Sequence, residues 1–191
     1  FFDVVFASLV VLLIISWLFP IVAILIKLTS KGPVFFSQMR SGKDGDPFKC
    51  YKFRSMTVNE HSDTLMASKN DVRVTPLGKI LRKTSLDEFP QFFNVLLNNM
   101  SVVGPRPHML KHTRNYKKTV AKYMVRHRAK PGITGWAQIK GFRGEIKNPS
   151  DIKNRAEADI WYIENWNILL DVNIILRTVF QVLFKKEENA F

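Results

Sequence analysis

The sequence predicts a mainly α-helical protein with a small β component (α+β) that is attached to a membrane. Its 191 residues are enough for one domain with a sizeable core. An apolar run at residues 4–26 stands near the start, and a second apolar run at 168–184 stands near the end. Between them, residues 48–53 alternate apolar and basic side chains, which indicates a short strand.

The first apolar run has about 23 residues, enough to cross a hydrocarbon layer about 30 Å thick. Hydropathy alone favours a single spanning helix, because kinked spanning helices are common. Pro20 offers an alternative, since proline removes a backbone donor and can break a helix, so that the segment enters the membrane and returns to the same face. A buried core helix is less favoured at this length. The strongly basic remainder is expected on the cytoplasmic side.

Short connected elements are predicted for the middle of the chain. Apolar residues 34–36 are a candidate strand, and residues 41–47 form a polar loop before the strand at 48–53. Residues 59–74 are polar, as expected of a mobile loop or lid. Residues 76–84 have the composition of a basic helix.

Helices are predicted for most of the second half. Residues 108–130 read as one basic helix, 131–135 as a turn, and 151–166 as a helix of mixed charge. The apolar run at 168–184 contains several polar residues, so an amphipathic helix lying in the membrane interface is favoured over a spanning helix.

The charge of the chain indicates an anionic partner. The formal net charge is +13 and the pI is about 10.0, which fits nucleic acid, an acidic membrane surface or phosphorylated substrates. Cys50 is the only cysteine, which excludes an internal disulfide framework and a cysteine-based zinc cluster. A membrane-tethered, basic nucleic-acid-binding module without catalysis accounts for the charge and is the alternative hypothesis.

The adjacent carboxylates Asp87 and Glu88 are the first candidate site. Ser85 is predicted to cap a helix that runs to Leu97, with Glu88 three residues later as in a capping box. Carboxylates at a helix N-terminus are favoured in their charged forms. A charged aspartate can attack phosphorus or bind a divalent metal, and its neighbour can share the metal or handle a proton. Taken alone, such a pair is more often a helix cap.

The surroundings of this pair strengthen the case for a site. Arg82 stands one turn upstream, Arg106 is fixed between two prolines, and Arg143 follows a glycine-rich turn. Arginine forks match the geometry of phosphate oxygens. The four histidines lack zinc-like spacing, and the sequence has no dinucleotide-binding fingerprint, Walker A motif or nucleophile elbow.

Four motifs in order resemble a known family. They are residues 52–56 (KFRSM), 85–91 (SLDEFPQ), 100–107 (MSVVGPRP) and 130–138 (KPGITGWAQ). The sequence resembles the bacterial sugar transferases, that is, the monotopic polyprenyl-phosphate phosphoglycosyl transferases of the exopolysaccharide type. The Asn165-Trp166 pair followed by Asp171 also matches, so the resemblance covers nearly the whole chain.

The resemblance implies a reaction and a set of residues. A UDP-sugar and undecaprenyl phosphate would be the substrates, and UMP would leave. Asp87 would attack the β-phosphorus and hold a covalent phosphosugar, while Glu88 would help bind Mg²⁺ or manage a proton, so that both carboxylates are candidate metal ligands. Candidate substrate- and phosphate-binding residues are Lys52, Arg82, Arg106, Arg143 and Asp171.

The resemblance also implies how the chain meets the membrane. Residues 1–30 would form a re-entrant, proline-broken membrane helix, which reverses the preference from hydropathy. Residues 31–191 would form the catalytic domain on the cytoplasmic face of the bacterial inner membrane, with a C-terminal interfacial helix. Anionic lipids would be partners and nucleic acid would not, while a homodimer stays open. Whether the chain is part of a longer protein also stays open.

Overall fold

The fold is α+β, as predicted. A computed structural model of the chain describes residues 1–58, 71–144, 146 and 148–184, so most of the predicted loop or lid at 59–74 lies outside the described residues. The elements are α1 (Phe2–Val10), α2 (Ser16–Thr29), β1 (Phe35–Ser41), β2 (Pro47–Phe53), α3 (Pro76–Lys83), α4 (Gln91–Leu96), β3 (Ser101–Val103), α5 (Leu110–Thr119), β4 (Gly132–Thr134), α6 (Trp136–Ile139), α7 (Pro149–Glu164) and α8 (Ile168–Phe184).

Helices α1 and α2 form one apolar helix, joined by a π-helical turn at Val11–Ile15. By length and composition, this 28-residue helix could cross a membrane. Side chains satisfy carbonyls of the π-helical turn: Ser16 Oγ donates to one at 2.6 Å, and Trp17 Nε1 donates to the next at 2.8 Å. Pro20 lies inside α2, so the irregular backbone and the proline fall within about three turns of helix.

Both ends of this apolar helix are fastened to the same domain. At the start, Asp3 accepts hydrogen bonds from Ser101 Oγ at 3.0 Å and from the backbone N–H of Val102 at 2.9 Å. Beyond the other end, the guanidinium of Arg54 donates to three backbone carbonyls within residues 30–33, at 2.6 to 2.9 Å. The helix therefore starts and finishes against parts of one folded unit.

The hairpin β1–β2 is antiparallel and longer than the predicted strand at 34–36, while the strand predicted at 48–53 is confirmed. Its register places Gln38 opposite Cys50 and Phe36 opposite Lys52. Because side chains alternate across a strand, these residues and Arg40 share one face. That face is turned to the interior, where Gln38 and Cys50 are buried.

A second, parallel sheet pairs β3 with β4, so the prediction of a simple turn at 131–135 is wrong. The two strands meet through glycines whose backbones come closer than any side chain would allow. A Cβ placed on Gly132 would lie 2.1 Å from the backbone nitrogen of Gly104, and one on Gly104 would lie 2.4 Å from the carbonyl oxygen of Lys130. This close approach positions the Gly104-Pro105-Arg106-Pro107 segment.

Gly132→Ala is therefore expected to destabilise the protein by about 2–3 kcal/mol, because the added methyl must push two backbones apart. Thermal unfolding of the purified protein in detergent measures the effect. Gly141→Ala is the matched control, since its Cβ would meet no atom within 4 Å although φ is +88°. That variant should be destabilised only by the cost of placing a side chain at positive φ, which is about 1–2 kcal/mol. Equal stability of Gly132→Ala and the parent protein would contradict the close approach.

The single helix predicted at 108–130 is also wrong. Helix α5 ends at Thr119, and a 3₁₀ segment follows at Tyr123–Arg128 after Lys122, whose φ is +59°. The break turns Tyr123 and Arg126 into the interior, where they are 1% and 2% exposed. Tertiary packing of these two residues overrides the local helical pattern.

The last two helices agree with the sequence. Helix α7 spans Pro149–Glu164, close to the predicted 151–166, and α8 spans Ile168–Phe184, as predicted. Helix α8 is amphipathic, because Asp171 and Ile174 are buried while Leu169, Leu176 and Leu183 are more than 60% exposed. Its location in a membrane interface stays a prediction.

Candidate active site

Asp87 and Glu88 lie in a 3₁₀ turn at Leu86–Glu88, between α3 and α4. Ser85 adopts a left-handed conformation (φ +54°) and makes no side-chain cap, and α4 starts only at Gln91. The predicted capping box is therefore wrong. Instead, the turn directs both carboxylates into the interior, where each residue is 6% exposed.

Glu88 is held by two cations on both of its oxygens. Its Oε1 accepts from Lys52 Nζ at 2.7 Å and from Arg106 Nη2 at 2.6 Å, and its Oε2 accepts from Arg106 Nη1 at 3.2 Å. Burial acts to raise the pKa of Glu88, but Arg106 and Lys52 outweigh it and hold that pKa well below its usual range. Glu88 is therefore an ionised anchor for the two cations.

Asp87 differs from its neighbour in its contacts and in the direction of its pKa shift. Its Oδ2 lies 3.9 Å from Lys52 Nζ, and no group in the described part of the chain donates a hydrogen bond to it. Burial raises the pKa of Asp87, while the positive charges of Lys52, Arg82 and Arg106 oppose the rise. Cations thus lie close to the Asp87 carboxylate, but its oxygens are uncommitted, as a nucleophile requires.

Two further arginines complete the cationic surround. Arg82 Nε donates to Ser55 Oγ at 2.8 Å, and its charge acts on Asp87. Arg143 Nη2 donates to Ser85 Oγ at 3.0 Å. The structure therefore brings together Asp87, Glu88 and the four predicted cations. The two serines that orient the arginines were not predicted, although both lie within the sequence motifs.

Asp171, the remaining predicted site residue, is not brought to this cluster. Its carboxylate accepts from Tyr162 OH at 2.7 Å and from Trp166 Nε1 at 3.0 Å. Burial raises its pKa, and the charge that raises it further is that of Asp3. Asp171 thus joins α7 to α8 close to the start of α1. A part in substrate binding stays a prediction.

A buried network behind Arg106 was missed by the sequence analysis. Arg126 Nη2 donates to the Arg106 carbonyl at 2.7 Å and also forms an ion pair with Asp159 Oδ2 at 2.7 Å. Both side chains of this pair are 2% exposed. The sequence of α7 did contain a signal for a buried Asp159, because Ile152, Ala156 and Asp159 follow the helical repeat of its buried face.

Magnesium was predicted at Asp87 and Glu88, and the two carboxylates fit it unequally. Mg²⁺ binds through one or two carboxylates, with substrate phosphates and water completing its octahedron. Asp87 has uncommitted oxygens, whereas Glu88 would have to release Lys52 or Arg106 to serve as a ligand. No group of three or more potential metal ligands occurs among the described residues, so most ligands would have to come from substrate and water.

Comparison with known proteins identifies the family. A sequence model described as bacterial sugar transferase matches residues 1–185. The chain belongs to this family. The resemblance carried by the four motifs is thereby confirmed. In this bacterial sugar transferase, the motif at 85–91 places Asp87 and Glu88 at the centre of the cationic cluster.

Three relatives illustrate the range of similarity. A UDP-glucose:undecaprenyl-phosphate glucose-1-phosphate transferase of Klebsiella pneumoniae is 52% identical over 96% of this chain and 40% of its own length. The exopolysaccharide production protein PSS of Rhizobium leguminosarum bv. phaseoli is 44% identical over 93% of this chain and 91% of its own length. A UDP-N-acetylgalactosamine-undecaprenyl-phosphate N-acetylgalactosaminephosphotransferase of Aeromonas hydrophila is 41% identical over 94% and 42%. The chain thus spans about two fifths of the first and third relatives.

Proposed function

We propose that this chain transfers a sugar 1-phosphate from a UDP-sugar to undecaprenyl phosphate and releases UMP. The observation that carries the proposal is the division of labour between two adjacent buried carboxylates. Glu88 is committed to Lys52 and Arg106, while Asp87 lies among the same cations with its oxygens uncommitted. The names of the similar proteins from Klebsiella and Aeromonas support the two substrates.

The geometry supports a two-step transfer. An oxygen of Asp87 attacks the β-phosphorus, the bond from this phosphorus to the bridging oxygen breaks, and the bridging oxygen leaves as part of UMP. The phosphate oxygen of the lipid then attacks the aspartyl phosphosugar and regenerates the carboxylate. Splitting the transfer in this way avoids bringing two bulky anions together in one step.

The charges of the site favour an anionic substrate. Lys52, Arg82 and Arg106 all act on the charge of Asp87, and each of the three is only partly exposed. Fixed cations of this kind stabilise phosphate charge as it shifts from the transferred group to the leaving group. Mg²⁺ bound with Asp87 and the diphosphate would neutralise further charge. Cations that converge on buried carboxylates give the nucleic-acid alternative no support.

The apolar helix is proposed to enter the membrane and return to the same face. One face of the helix is buried against the domain along most of the helix. The buried residues of this face are Ala7, Ile15, Val22 and Ile26. With both helix ends fastened to this domain, the two ends belong on one side of the membrane. Exposed leucines of α8 and the basic surface then hold the domain to anionic lipid on the cytoplasmic face of the bacterial inner membrane.

The decisive assay is UMP release by the purified protein from UDP-sugars with undecaprenyl phosphate and Mg²⁺. UDP-glucose and UDP-N-acetylgalactosamine are the first two donors to compare, because similar proteins are named for each. UMP release that depends on the lipid phosphate is expected with at least one donor. If salt-sensitive DNA binding is found without UMP release, the nucleic-acid alternative replaces the proposal.

Topology is tested by labelling the single-cysteine variants Phe1→Cys and Lys31→Cys in membrane vesicles, since both positions are exposed and keep Asp3 in place. Cys50 is buried, so it contributes little background. Both sites should react with a membrane-impermeant reagent from the same side. Labelling from opposite sides would show a spanning helix.

Lys52→Met is expected to move the acid limb of the activity profile to higher pH by about one unit or more. Lys52 lowers the pKa of Asp87, so its removal raises that pKa, and Asp87 becomes protonated at a higher pH. The measurement is kcat/KM for UMP release against pH, which reports the free enzyme. Lys49→Met, on the opposite face of β2, should leave the limb in place. An unmoved limb in Lys52→Met would mean that another group sets it.

A further inference from the structure

The inward face of β1 continues the cationic cluster beyond the residues that the motifs predicted. Gln38 and Arg40 follow Phe36 at two-residue intervals, and Phe36 pairs with Lys52. Two residues of a strand span about 6.7 Å, so the backbone of Arg40 stands roughly 13 Å along the hairpin from the pair that contains Lys52. The Arg40 guanidinium nevertheless adjoins the cluster, because its Nη1 donates to the carbonyl of Pro107, the residue after Arg106.

Arg40 is a partly exposed cation with neutral partners. Its Nε and Nη2 donate to Gln38 Oε1 at 3.1 and 2.7 Å, and its Nη1 donates to the Pro107 carbonyl at 2.7 Å. No carboxylate forms an ion pair with it in the part of the chain that the structure describes. A guanidinium has five N–H donors, so one N–H on each terminal nitrogen is left for a ligand.

The position of Arg40 relative to the two carboxylates indicates which part of a substrate it meets. Its charge acts on Glu88 and Arg106, and its hydrogen bond to Pro107 places it beside Arg106. The cations that act on Asp87 are instead Lys52, Arg82 and Arg106. Arg40 therefore adjoins Arg106 rather than Asp87.

We propose that Arg40, oriented by Gln38, binds the phosphate of the nucleotide that leaves. This assignment rests on the proposed function and adds a residue to it. When an Asp87 oxygen bonds to the β-phosphorus, the electron pair of the breaking bond goes to the bridging oxygen, which stays on the α-phosphate of UMP. The two free N–H groups of Arg40 stabilise that added charge, and no proton is needed.

The alternative is that Arg40 only braces Pro107. Binding of UMP and of uridine separates the two roles, because the ligands differ only in the phosphate. Calorimetry with the purified full chain in detergent gives both dissociation constants. For Arg40→Met we expect the Kd of UMP to rise roughly tenfold to a hundredfold, the range for a charged hydrogen bond, while the Kd of uridine stays the same. Lys49→Ala should change neither.

If the ratio of the two dissociation constants is unchanged in Arg40→Met, the assignment is overturned, and Arg40 only stabilises the position of Pro107. If Arg40→Met does not fold, the same two ligands are compared with Arg40→Lys and Gln38→Ala. The first variant removes the guanidinium, and the second removes the amide that orients it. For each of them the preference for UMP over uridine should fall. A wild-type protein that binds neither UMP nor UDP-glucose would instead refute the proposed function itself.

Discussion

Asp87→Asn should abolish UMP release, with a loss of at least about a thousandfold, as for removal of a catalytic nucleophile. The substitution keeps the volume of the side chain and removes the charge that is proposed to attack phosphorus. Mass spectrometry of the wild-type protein after incubation with a UDP-sugar should show an added phosphosugar on Asp87. The Asn variant should show none.

The same substitution should leave thermal stability unchanged or raise it. Burial raises the pKa of Asp87, so the ionised carboxylate costs folding free energy at pH values above that pKa, and a neutral amide removes the cost. Asp46→Asn, at an exposed position, is the control for activity and stability. UMP release that survives in Asp87→Asn would remove Asp87 as the nucleophile.

Glu88→Gln is expected to lower stability, in contrast to Asp87→Asn. The loss should be about 2–3 kcal/mol, because Lys52 and Arg106 lose their shared charge partner. Both cations are about one-fifth exposed, so water limits the loss. Thermal unfolding beside Asp87→Asn makes the comparison. Equal stability of the two variants would contradict the division between anchor and nucleophile.

The failures of sequence analysis at the site have a physical cause. The spacing of Ser85 and Glu88 matches a capping box, yet Glu88 is bound by Lys52 and Arg106, which lie 36 and 18 residues away. Two long-range ion pairs outweigh one local cap, and the serine is left to orient Arg143. No local pattern contains this information, whereas the co-occurrence of motifs did predict that the cations gather around the carboxylates.

The fold shows the same distinction between local and distant contacts. Helix α8 was predicted with its observed limits because its apolar period and flanking polar residues are local. Strand β4 was missed because it has three residues and its partner, β3, lies about 30 residues earlier. The pairing depends on glycines that permit contact between backbones, and a glycine in isolation equally well indicates a turn.

Asp159→Asn is expected to destabilise the protein by about 3–5 kcal/mol, the cost of leaving a buried charge without its partner. Arg126 is 2% exposed and has Asp159 as its carboxylate partner. Arg126 also donates to the carbonyl of Arg106, so its displacement should reduce UMP release as well. Glu157→Gln is the matched control on α7. Its pair with Lys153 is more than 60% exposed on both sides and should contribute less than about 1 kcal/mol.

The double variant Arg126→Met/Asp159→Leu separates stability from the positioning of Arg106. Replacing a buried ion pair by apolar side chains of similar volume is often neutral or stabilising, so this variant should recover most of the stability lost in Asp159→Asn. UMP release should stay low, because the Arg106 carbonyl has lost its hydrogen bond from Arg126. The Arg106 guanidinium, which binds Glu88, is then no longer held in position. A double variant with full activity would show that the network stabilises the fold without positioning Arg106.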